Sequence, residues 1–262
     1  MNIDLTNKTA LVCGASQGLG LATAKELALL GATVIIASRS QNKLTEALKE
    51  LDVSAGKKHS YVVMDLSNSE EVAAKIRAIV EKGTIIQILV NNAGGPPSGP
   101  MIDTSATELE QAFKTHLISS QLLVQTVLPG MKTAGYGRIV NILSTSVKQP
   151  INGLGISNAI RAAVANWAKT LANEIGNSGI TINNVLPGFT STDRLEYLFE
   201  KQAKDQQVDK QIILERTIAG IPAKRLGTPA EFGAVVAFLC SPAAAYINGV
   251  NLPVDGGRTG CL

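Results

Sequence analysis

Short runs of β-branched and other apolar residues alternate along the chain with longer segments in which apolar residues recur every three or four positions. The short runs predict strands buried on both faces, as in a parallel sheet, and the longer segments predict helices. The predicted strands cover residues 9–13, 33–37, 61–64, 85–90, 138–143 and 181–186. The predicted helices cover residues 19–30, 41–51, 70–80, 109–131 and 156–175. The first helix ends at Gly31, a residue type that is common just after helix C-termini.

This alternation predicts an α/β fold, a single doubly wound parallel sheet of the Rossmann type with helices on both faces. Residues 189–225 differ from the rest, because they are polar and helical in propensity and contain no strand-like run. We expect them to form a helical flap over a substrate site. No repeat, linker or break in composition divides the chain, so residues 1–262 are expected to form one domain.

The composition excludes several classes of protein. The chain has 262 residues, 45% of them apolar and 17% charged, with a formal net charge of +3, which argues against disorder. The charges are dispersed and no apolar run reaches about 18 residues, so neither a nucleic-acid surface nor a membrane span is expected. The three cysteines, Cys13, Cys240 and Cys261, show no metal-binding or disulfide spacing. With no signal-peptide pattern at the amino terminus, these features predict a cytoplasmic protein without a metal.

A glycine-rich loop joins the first strand to the first helix. It reads Cys13-Gly14-Ala15-Ser16-Gln17-Gly18-Leu19-Gly20. The glycines at positions 14, 18 and 20 allow a tight turn, close approach of a pyrophosphate, and close packing of the helix on the strand. The helix N-terminus then offers free N–H groups and a positive dipole end to phosphate oxygens. The loop predicts dinucleotide binding.

The end of the second strand predicts which dinucleotide is bound. An acidic residue at this place accepts hydrogen bonds from the adenosine ribose in NAD-selective sites, but here the chain reads Ala37-Ser38-Arg39-Ser40. A guanidinium and two hydroxyls suit a 2′-phosphate, so NADP(H) is the expected cofactor. Asp65 follows the third strand directly and is expected to accept from the adenine amino group, while Asn68 and Ser69 can cap the next helix.

These motifs, taken with others further along, resemble those of the short-chain dehydrogenase/reductase family over nearly the whole chain, in particular its 3-oxoacyl-reductase-like members. The matching segments are the glycine loop, Asn91-Asn92-Ala93-Gly94, residues 137–142, Asn184-Val185-Leu186-Pro187-Gly188 with Thr190 and Thr192, and Val254-Asp255-Gly256-Gly257. The resemblance implies a dimer or tetramer and a small-molecule substrate bound at the carboxyl ends of the strands.

The resemblance also implies the residues of the site. The catalytic serine falls on Ser144. The implied cofactor contacts are Gly14, Ser16, Gln17, Gly18, Leu19, Gly20, Ser38, Arg39, Asp65, Leu66, Asn92, Ala93, Gly94, Arg161, Pro187, Gly188, Thr190 and Thr192.

The chain departs from the family at the other catalytic positions. The family's tyrosine-x-x-x-lysine pair aligns with Ser157 and Arg161, and the family's catalytic asparagine aligns with His116. Ser157 and Arg161 are four residues apart on one predicted helix and therefore share a face. Together with Ser144 they predict an oxyanion-binding site, but a serine is a poor acid and an arginine holds its proton to a pKa of about 12.

The source of the reaction's proton therefore stays open. His116 is the first candidate, because imidazole titrates near neutral pH, although packing alone explains a helix histidine equally well. Lys148 and Tyr197 are weaker candidates, and Tyr136 is expected at the opposite end of the sheet. Three hypotheses remain: an NADP(H)-dependent reductase of a 3-oxoacyl-like carbonyl compound, a reductase of an activated C=C bond, and a non-catalytic NADP(H) sensor.

Overall fold

A computed structural model describes residues 1–54 and 56–261, and in this part of the chain seven parallel strands form one sheet. The strands are β1 (Thr9–Cys13), β2 (Thr33–Ser38), β3 (Ser60–Val63), β4 (Ile88–Asn91), β5 (Gly137–Ile142), β6 (Ile180–Pro187) and β7 (Asn251–Val254). Their order across the sheet is β3-β2-β1-β4-β5-β6-β7. The predicted doubly wound parallel sheet with helices around it is confirmed.

Helices cover both faces of this sheet. They are α1 (Gly18–Leu29), α2 (Gln41–Lys49), α3 (Ser69–Glu81), α4 (Ala106–Phe113), α5 (Ser119–Thr133), α6 (Gly155–Ile175), α7 (Asp193–Gln206), α8 (Lys210–Ala219) and α9 (Pro229–Cys240). Short 3-10 turns lie at Met101–Asp103, Thr145–Val147, Gly176–Ser178 and Pro242–Ala244. Gly31 follows α1 with a φ of +93°, as its C-cap prediction requires.

Alternate residues of each central strand point into two separate cores. In β1, Val12 packs into the core beneath α1 and α9, whereas Leu11 packs into the core beneath α3, α5 and α6. All of these strand side chains are fully buried, which explains the continuous apolar runs in the sequence. A smaller cluster, which includes Leu143 and Leu186, lies where α4 and α6 meet the carboxyl ends of the strands.

The long helix predicted over residues 109–131 is interrupted. Between α4 and α5, residues Lys114–Ile118 form a π-helical turn in which the Ser119 N–H donates to the Lys114 carbonyl, five residues back. The Ser119 hydroxyl also donates to this carbonyl, at 3.2 Å, and to the Leu66 carbonyl at 2.6 Å. Apolar periodicity does not reveal one extra residue in a turn, and such turns recur at functional sites.

The segment predicted to be a flap consists mainly of α7 and α8. Their facing sides share a small core, in which Leu195, Phe199 and Ile213 are buried. A bridge between Thr190 and Gly227 joins the two ends of the segment. The two ends of the flap are therefore close together, and the flap has its own packing.

Candidate active site

The candidate site lies where the strand order reverses, between β1 and β4. Parallel strands diverge there at their carboxyl ends, and α/β proteins bind ligands in the resulting crevice. The glycine loop follows β1 and Asn92 follows β4. The Asn92 side-chain amide donates to the Gly14 carbonyl at 3.1 Å, so two segments that are 78 residues apart form one rim.

The glycine loop has the geometry that close approach of a phosphate requires. Gly14 and Gly18 have φ values of +58° and +61°, in the left-handed region that favours glycine. A Cβ on Gly14 would lie 2.6 Å from the Asn92 carbonyl oxygen, and a Cβ on Gly20 would collide with the Gly14 carbonyl. Gln17, which precedes α1, makes no side-chain capping bond to the first turn. The first N–H groups of α1 therefore remain available to an anion.

The end of β2 fits a phosphorylated ribose. Ser38 is the last residue of the strand, and its hydroxyl oxygen is buried without a hydrogen-bond partner among the described residues. Arg39 is exposed beside it, and Ser40 caps α2 by accepting from the Lys43 N–H at 3.4 Å. Lys43 is a residue that the sequence analysis missed: its Nζ donates to Gln17 Oε1 at 2.7 Å and adds a second cation between this edge and the glycine loop.

Asp65 does not cap the following helix. Its Oδ1 accepts from the Ser67 N–H at 2.9 Å, and Asn68 is the residue that caps α3. Asp65 thus stays available as the predicted adenine contact. Leu66 is held by the hydroxyl of Ser119 next to the π-helical turn.

Ser157 and Arg161 lie together on α6, as their spacing predicts. Arg161 Nε donates to Ser157 Oγ at 3.1 Å and its Nη1 donates to the Ile142 carbonyl, at the end of β5, at 3.2 Å. Both residues are 8% exposed. Burial, followed by the charge of Arg194, lowers the pKa of Arg161 from 12.5 to about 10. This pKa is lower than the sequence predicts, but Arg161 remains a cation at neutral pH.

Ser144 lies in the turn directly beyond β5. Its Oγ accepts from the Ser146 N–H at 3.1 Å and so caps the short turn Thr145–Val147, against which α6 packs. Since the Ile142 carbonyl that Arg161 binds is two residues before Ser144, both candidate hydroxyls flank the same strand end. Among the described residues, no acceptor is recorded for the Ser144 O–H.

His116 lies inside the π-helical turn and is 7% exposed. The pKa of His116 falls from 6.5 to about 3. Burial is the main cause of this fall, and the charge of Arg161 is the second. A hydrogen bond to the Gly94 backbone opposes the fall. The expectation that His116 titrates near neutral pH is therefore wrong for this site. The imidazole is neutral and connects the π-helical turn to the loop after β4.

The structure gives the other candidate proton donors different surroundings. Tyr136 precedes β5, and its hydroxyl donates to the Cys240 carbonyl at 2.6 Å, at the amino end of the sheet as predicted. Tyr197 is on the flap with 56% of its surface exposed. Lys148 follows the turn that Ser144 caps, and its carbonyl accepts from the Cys261 thiol at 3.7 Å. None of these positions matches that of the Ser157 hydroxyl.

The segment after β6 closes the site on the flap side. The Gly188 N–H donates to the Val254 carbonyl at 3.0 Å, and a Cβ on Gly188 would lie 2.6 Å from Asp255 Cα. Thr190 is buried and Thr192 caps α7. The methyl group of Thr192 lies 3.9 Å from the place that a Cβ on Gly18 would take, so the base of the flap reaches the glycine loop. Pro187, the last residue of β6, leads into this segment.

Two further features were not found in the sequence. Four asparagines, one on each of β4 to β7, form a row of side-chain hydrogen bonds across the sheet behind the site: Asn91 to Asn141 at 2.9 Å, Asn141 to Asn184 at 2.8 Å, and Asn184 to Asn251 at 2.7 Å. Arg194, on α7, lies close enough to Arg161 to lower its pKa. Motif spacing gives no sign of either, because both depend on contacts between distant segments.

The described residues hold no group of three or more His, Cys, Asp or Glu side chains that could bind a metal. Within the same residues, no helix is both long and apolar enough to cross a membrane.

The strand order and the position of the glycine loop are those of α/β proteins that bind a dinucleotide at the topological switch point. The uncapped helix N-terminus, the glycine cradle and the unpartnered Ser38 hydroxyl all fit such a ligand.

Comparison with known proteins narrows this class. Residues 14–259 match the sequence model described as enoyl-(acyl carrier protein) reductase. The chain is 36% identical over 257 residues to the 3-oxoacyl-(acyl-carrier-protein) reductase FabG of Vibrio cholerae, covering 97% of this chain and 98% of the relative. It is 30% identical over 255 residues to the NADPH-dependent reductase BacG of Bacillus subtilis, covering 97% of this chain and 98% of that relative. The chain belongs to the short-chain dehydrogenase/reductase family.

Solved structures agree with this assignment. The L-sorbose reductase of Gluconobacter frateurii, solved with NADPH and L-sorbose, superposes with a TM-score of 0.93 at 29% identity, with 100% of both chains covered. The predicted cofactor, NADP(H), is the one named for this relative and for BacG.

Proposed function

We propose that this protein is an NADP(H)-dependent reductase that delivers a hydride to the carbonyl carbon of a small, 3-oxoacyl-like compound. One observation carries the proposal: the buried pair of Ser157 and Arg161 lies at the end of β5, next to Ser144 and beside the dinucleotide cradle. The named activities of FabG and of L-sorbose reductase, both relatives of this chain, support a carbonyl substrate.

The glycine loop would hold the cofactor, with Ser38 and Arg39 at the ribose phosphate and Asp65 and Leu66 at the adenine. The segments around residues 92–94 and 187–192 would complete its site. Reduced NADP supplies the hydride when it is bound, and the protein supplies orientation and charge.

Ser144, Ser157 and Arg161 stabilise the oxygen of the substrate. As hydride reaches the carbon, the C=O electron pair moves onto the oxygen, and the hydroxyls of Ser144 and Ser157 donate hydrogen bonds to it. Arg161 fixes the direction of the Ser157 hydroxyl by occupying one of its lone pairs at 3.1 Å, and its positive charge favours the anion. A proton from water completes the alcohol, because neither hydroxyl is an effective acid near neutral pH.

His116 serves in this scheme as a positioning residue. A pKa of about 3 leaves it neutral, so it does not donate a proton to an alkoxide as an imidazolium would. Through Gly94 it holds the loop that borders the cofactor.

Reduction of an activated C=C bond is the second candidate. Here the hydride lands on carbon and the resulting enolate needs hydrogen bonds more than an immediate acid, which suits a site with two serines and an arginine. The matching family model, described as an enoyl reductase, points the same way. The third candidate function is a sensor, which would bind NADP(H) but reduce no substrate.

One experiment separates the three functions. The purified protein is given NADPH with deuterium at the transferable position, together with a panel of ketones and a matched panel of enones. Label on a carbinol carbon supports carbonyl reduction, and label on the β-carbon of a saturated product supports C=C reduction. Tight NADPH binding with no oxidation in either panel would establish the sensor and refute both reductases.

Arg39→Ala tests the cofactor assignment. Loss of a charge-assisted bond to the 2′-phosphate is expected to weaken NADPH binding about 10- to 100-fold and to change NADH binding by less than about threefold. Fluorescence titration measures both dissociation constants. The control is Lys49→Ala, which removes an exposed cation at the far end of α2 that is paired with Glu46. Equal losses for NADPH and NADH would contradict the assignment.

We further propose that residues 1–262 act as one domain in a cytoplasmic homo-oligomer, a tetramer or a dimer. One sheet runs from β1 to β7, and all three cysteines are free, two of them buried. The helices that contain His116 and Trp167 would form the interface, and Phe113 on the first of them is 41% exposed. Light scattering that gives the mass of one chain would contradict this assembly.

A further inference from the structure

Two arginine side chains approach one point beside the candidate oxyanion site. If Gly95 had a Cβ, that atom would lie 3.8 Å from Arg194 Nη2 and 3.9 Å from Arg161 Nη2. Arg161 comes from the sheet side, on α6, and Arg194 comes from the flap, on α7. Gly95 itself is exposed, so this point is accessible from solvent.

Among the residues that the structure describes, neither arginine has an acidic partner. The ion pairs of the described residues involve neither of them. Arg161 uses Nε and Nη1 for Ser157 and Ile142, which leaves its Nη2 facing Gly95. Burial is the main cause of the lowered pKa of Arg161, and the nearby charge of Arg194 lowers this pKa further. Two cations held together without a counter-charge favour an anion between them.

The protein contains a contrasting buried arginine. Arg138 is 3% exposed, and its guanidinium donates to the carbonyls of Gly137, Gly179 and Ser241 and stacks 4.1 Å from the ring centroid of Tyr136. These contacts account for Arg138 as a structural residue. Arg161 has one carbonyl, one hydroxyl and a second guanidinium instead.

The position of Arg194 is supported by its surroundings. Its guanidinium lies 5.8 Å from the ring centroid of Tyr197, one turn further along α7, a distance at which a cation is attracted to an aromatic face. Thr192 caps the start of the same helix, and its methyl group lies 3.9 Å from the place that a Cβ on Gly18 would take, so this end of the flap lies near the glycine loop.

We propose that the substrate is an oxo acid, and that its carboxylate binds between Arg161 and Arg194 above Gly95. A carboxylate suits this place because its two oxygens each accept a charge-assisted hydrogen bond of about 2.8 Å, one from each guanidinium. Its carbonyl group then lies beside Ser157, to which Arg161 is bonded. The inference rests on the proposed reductase function, and it makes Arg194 a residue that determines specificity.

Matched pairs of acid and ester test the proposal. The probes are acetoacetate with methyl acetoacetate, and 2-oxobutanoate with its methyl ester, each assayed by NADPH consumption and by calorimetric binding to the protein–NADPH complex. The wild type is expected to prefer at least one acid over its ester by about 10-fold or more in kcat/KM and in affinity. Equal use and equal binding of acid and ester in both pairs would overturn the proposal.

Variants separate the role of Arg194 from a general effect of charge. Arg194→Ala is expected to raise KM for the preferred acid about 10- to 100-fold. KM for the ester is expected to stay within about twofold of the wild-type value. Arg194→Lys is expected to recover part of the loss, because it restores the charge but not the planar guanidinium. The control is Arg216→Ala, which removes an exposed arginine from α8 of the same flap. It is expected to change KM for neither the acid nor the ester. Equal effects of Arg194→Ala and Arg216→Ala on the acid would refute the assignment.

The binding measurement keeps this inference distinct from the proposed function. Turnover of esters without any preference for acids refutes the oxo-acid inference and leaves the reductase intact. Acid binding that depends on Arg194, with no turnover of any carbonyl or enone, refutes the reductase and leaves the anion site intact.

Discussion

At the scale of single residues, burial decides what His116 and Arg161 can do. The charge of Arg161 acts on His116, and each of the two side chains is less than one-tenth exposed. Removal from water disfavours both charged forms, but their ordinary pKa values differ so much that the outcome is opposite. His116, with a pKa of about 3, is neutral, whereas Arg161, with a pKa of about 10, keeps its charge. The site therefore holds a cation and two hydroxyls, but no acid that titrates near neutral pH in this group.

The buried imidazole predicts a pH dependence of stability. The unfolded chain binds a proton at His116 below pH 6.5, while the folded chain does so only near pH 3, so the free energy of unfolding falls as pH drops through this window. The slope contributed by one such group is at most about 1.4 kcal/mol per pH unit, or about 2 kcal/mol between pH 6.5 and 5. Denaturant titrations at several pH values measure it.

His116→Asn is the matched control, because asparagine does not titrate and is the residue that the family resemblance implies here. This variant is expected to lose less stability than the wild type between pH 6.5 and 5, with His59 present in both proteins. Parallel stability curves for the two would show that His116 is not buried in a neutral form.

The sequence identified the individual candidates at this scale but not their state. Motif spacing pointed to Ser144, Ser157 and Arg161, and the structure does bring the last two within hydrogen-bond distance. The protonation of His116 depends on how deeply the π-helical turn is packed. The role of Arg194 depends on where the flap returns over Gly95, which local sequence does not encode.

At the scale of secondary-structure elements, the row of asparagines connects four strands of the sheet. Each member lies opposite the next in the register of its strand pair, from Asn91 to Asn251. Each inner side chain donates to one neighbour and accepts from the other, so a buried polar row is largely satisfied. The row ends at Asn91 Oδ1, which is buried and has no hydrogen-bond partner among the described residues. Asn91 and His116 both line a cavity of about 20 Å³.

Asn141→Ala is expected to lower the free energy of unfolding by about 2–5 kcal/mol. It leaves the Asn91 amide and the Asn184 carbonyl oxygen without partners in the interior, each at a cost of about 1–3 kcal/mol. Asn251→Ala, at the half-buried end of the row, is the control and is expected to cost about 1 kcal/mol. Chemical denaturation measures both, and a cost at Asn251 equal to that at Asn141 would show that the inner bonds contribute nothing special.

Element boundaries show which physical signals the sequence contains. Strand β1 covers the predicted residues 9–13, because its buried residues form one uninterrupted apolar run. The helix predicted over 109–131 is divided by the π-helical turn, which arises from hydrogen bonds of Ser119 to Lys114 and Leu66. The apolar run of β1 is a local signal, whereas the π-helical turn depends on a hydrogen bond to Leu66 in the loop after β3.

At the scale of the whole molecule, the flap is a part of the chain with a small core of its own. Phe199 is 2% exposed, and its ring centroid lies 6.3 Å from that of Phe189, the residue that follows the Gly188 segment. Lys201 also donates to Ser98 at 3.2 Å, which connects the flap to the loop after β4. The flap thus contacts the loop after β4, whereas the glycine loop of the cofactor cradle lies between β1 and α1.

Phe199→Ala therefore separates binding of the two ligands. Loss of a buried phenyl ring from this small core is expected to loosen α7 and raise the substrate KM about 10-fold or more, while the NADPH dissociation constant changes by less than about threefold. Ile212→Ala, a truncation of a 38% exposed residue on α8, is the control and is expected to change neither value. Equal weakening of NADPH and substrate by Phe199→Ala would show that the flap supports the whole fold.

The resemblance to the family predicts that Ser157 replaces the family's tyrosine. The sequence by itself determined the doubly wound sheet and the glycine loop. Both depend on local periodicity and on short motif spacing, which are present in the amino-acid sequence itself. Only the tertiary structure decided that His116 is neutral, that Arg161 and Arg194 meet at Gly95, and that four asparagines form a row. Each of these is a property of burial or of contact between distant segments, such as the 50 residues between Asn91 and Asn141, and it exists only once the sheet and flap have assembled.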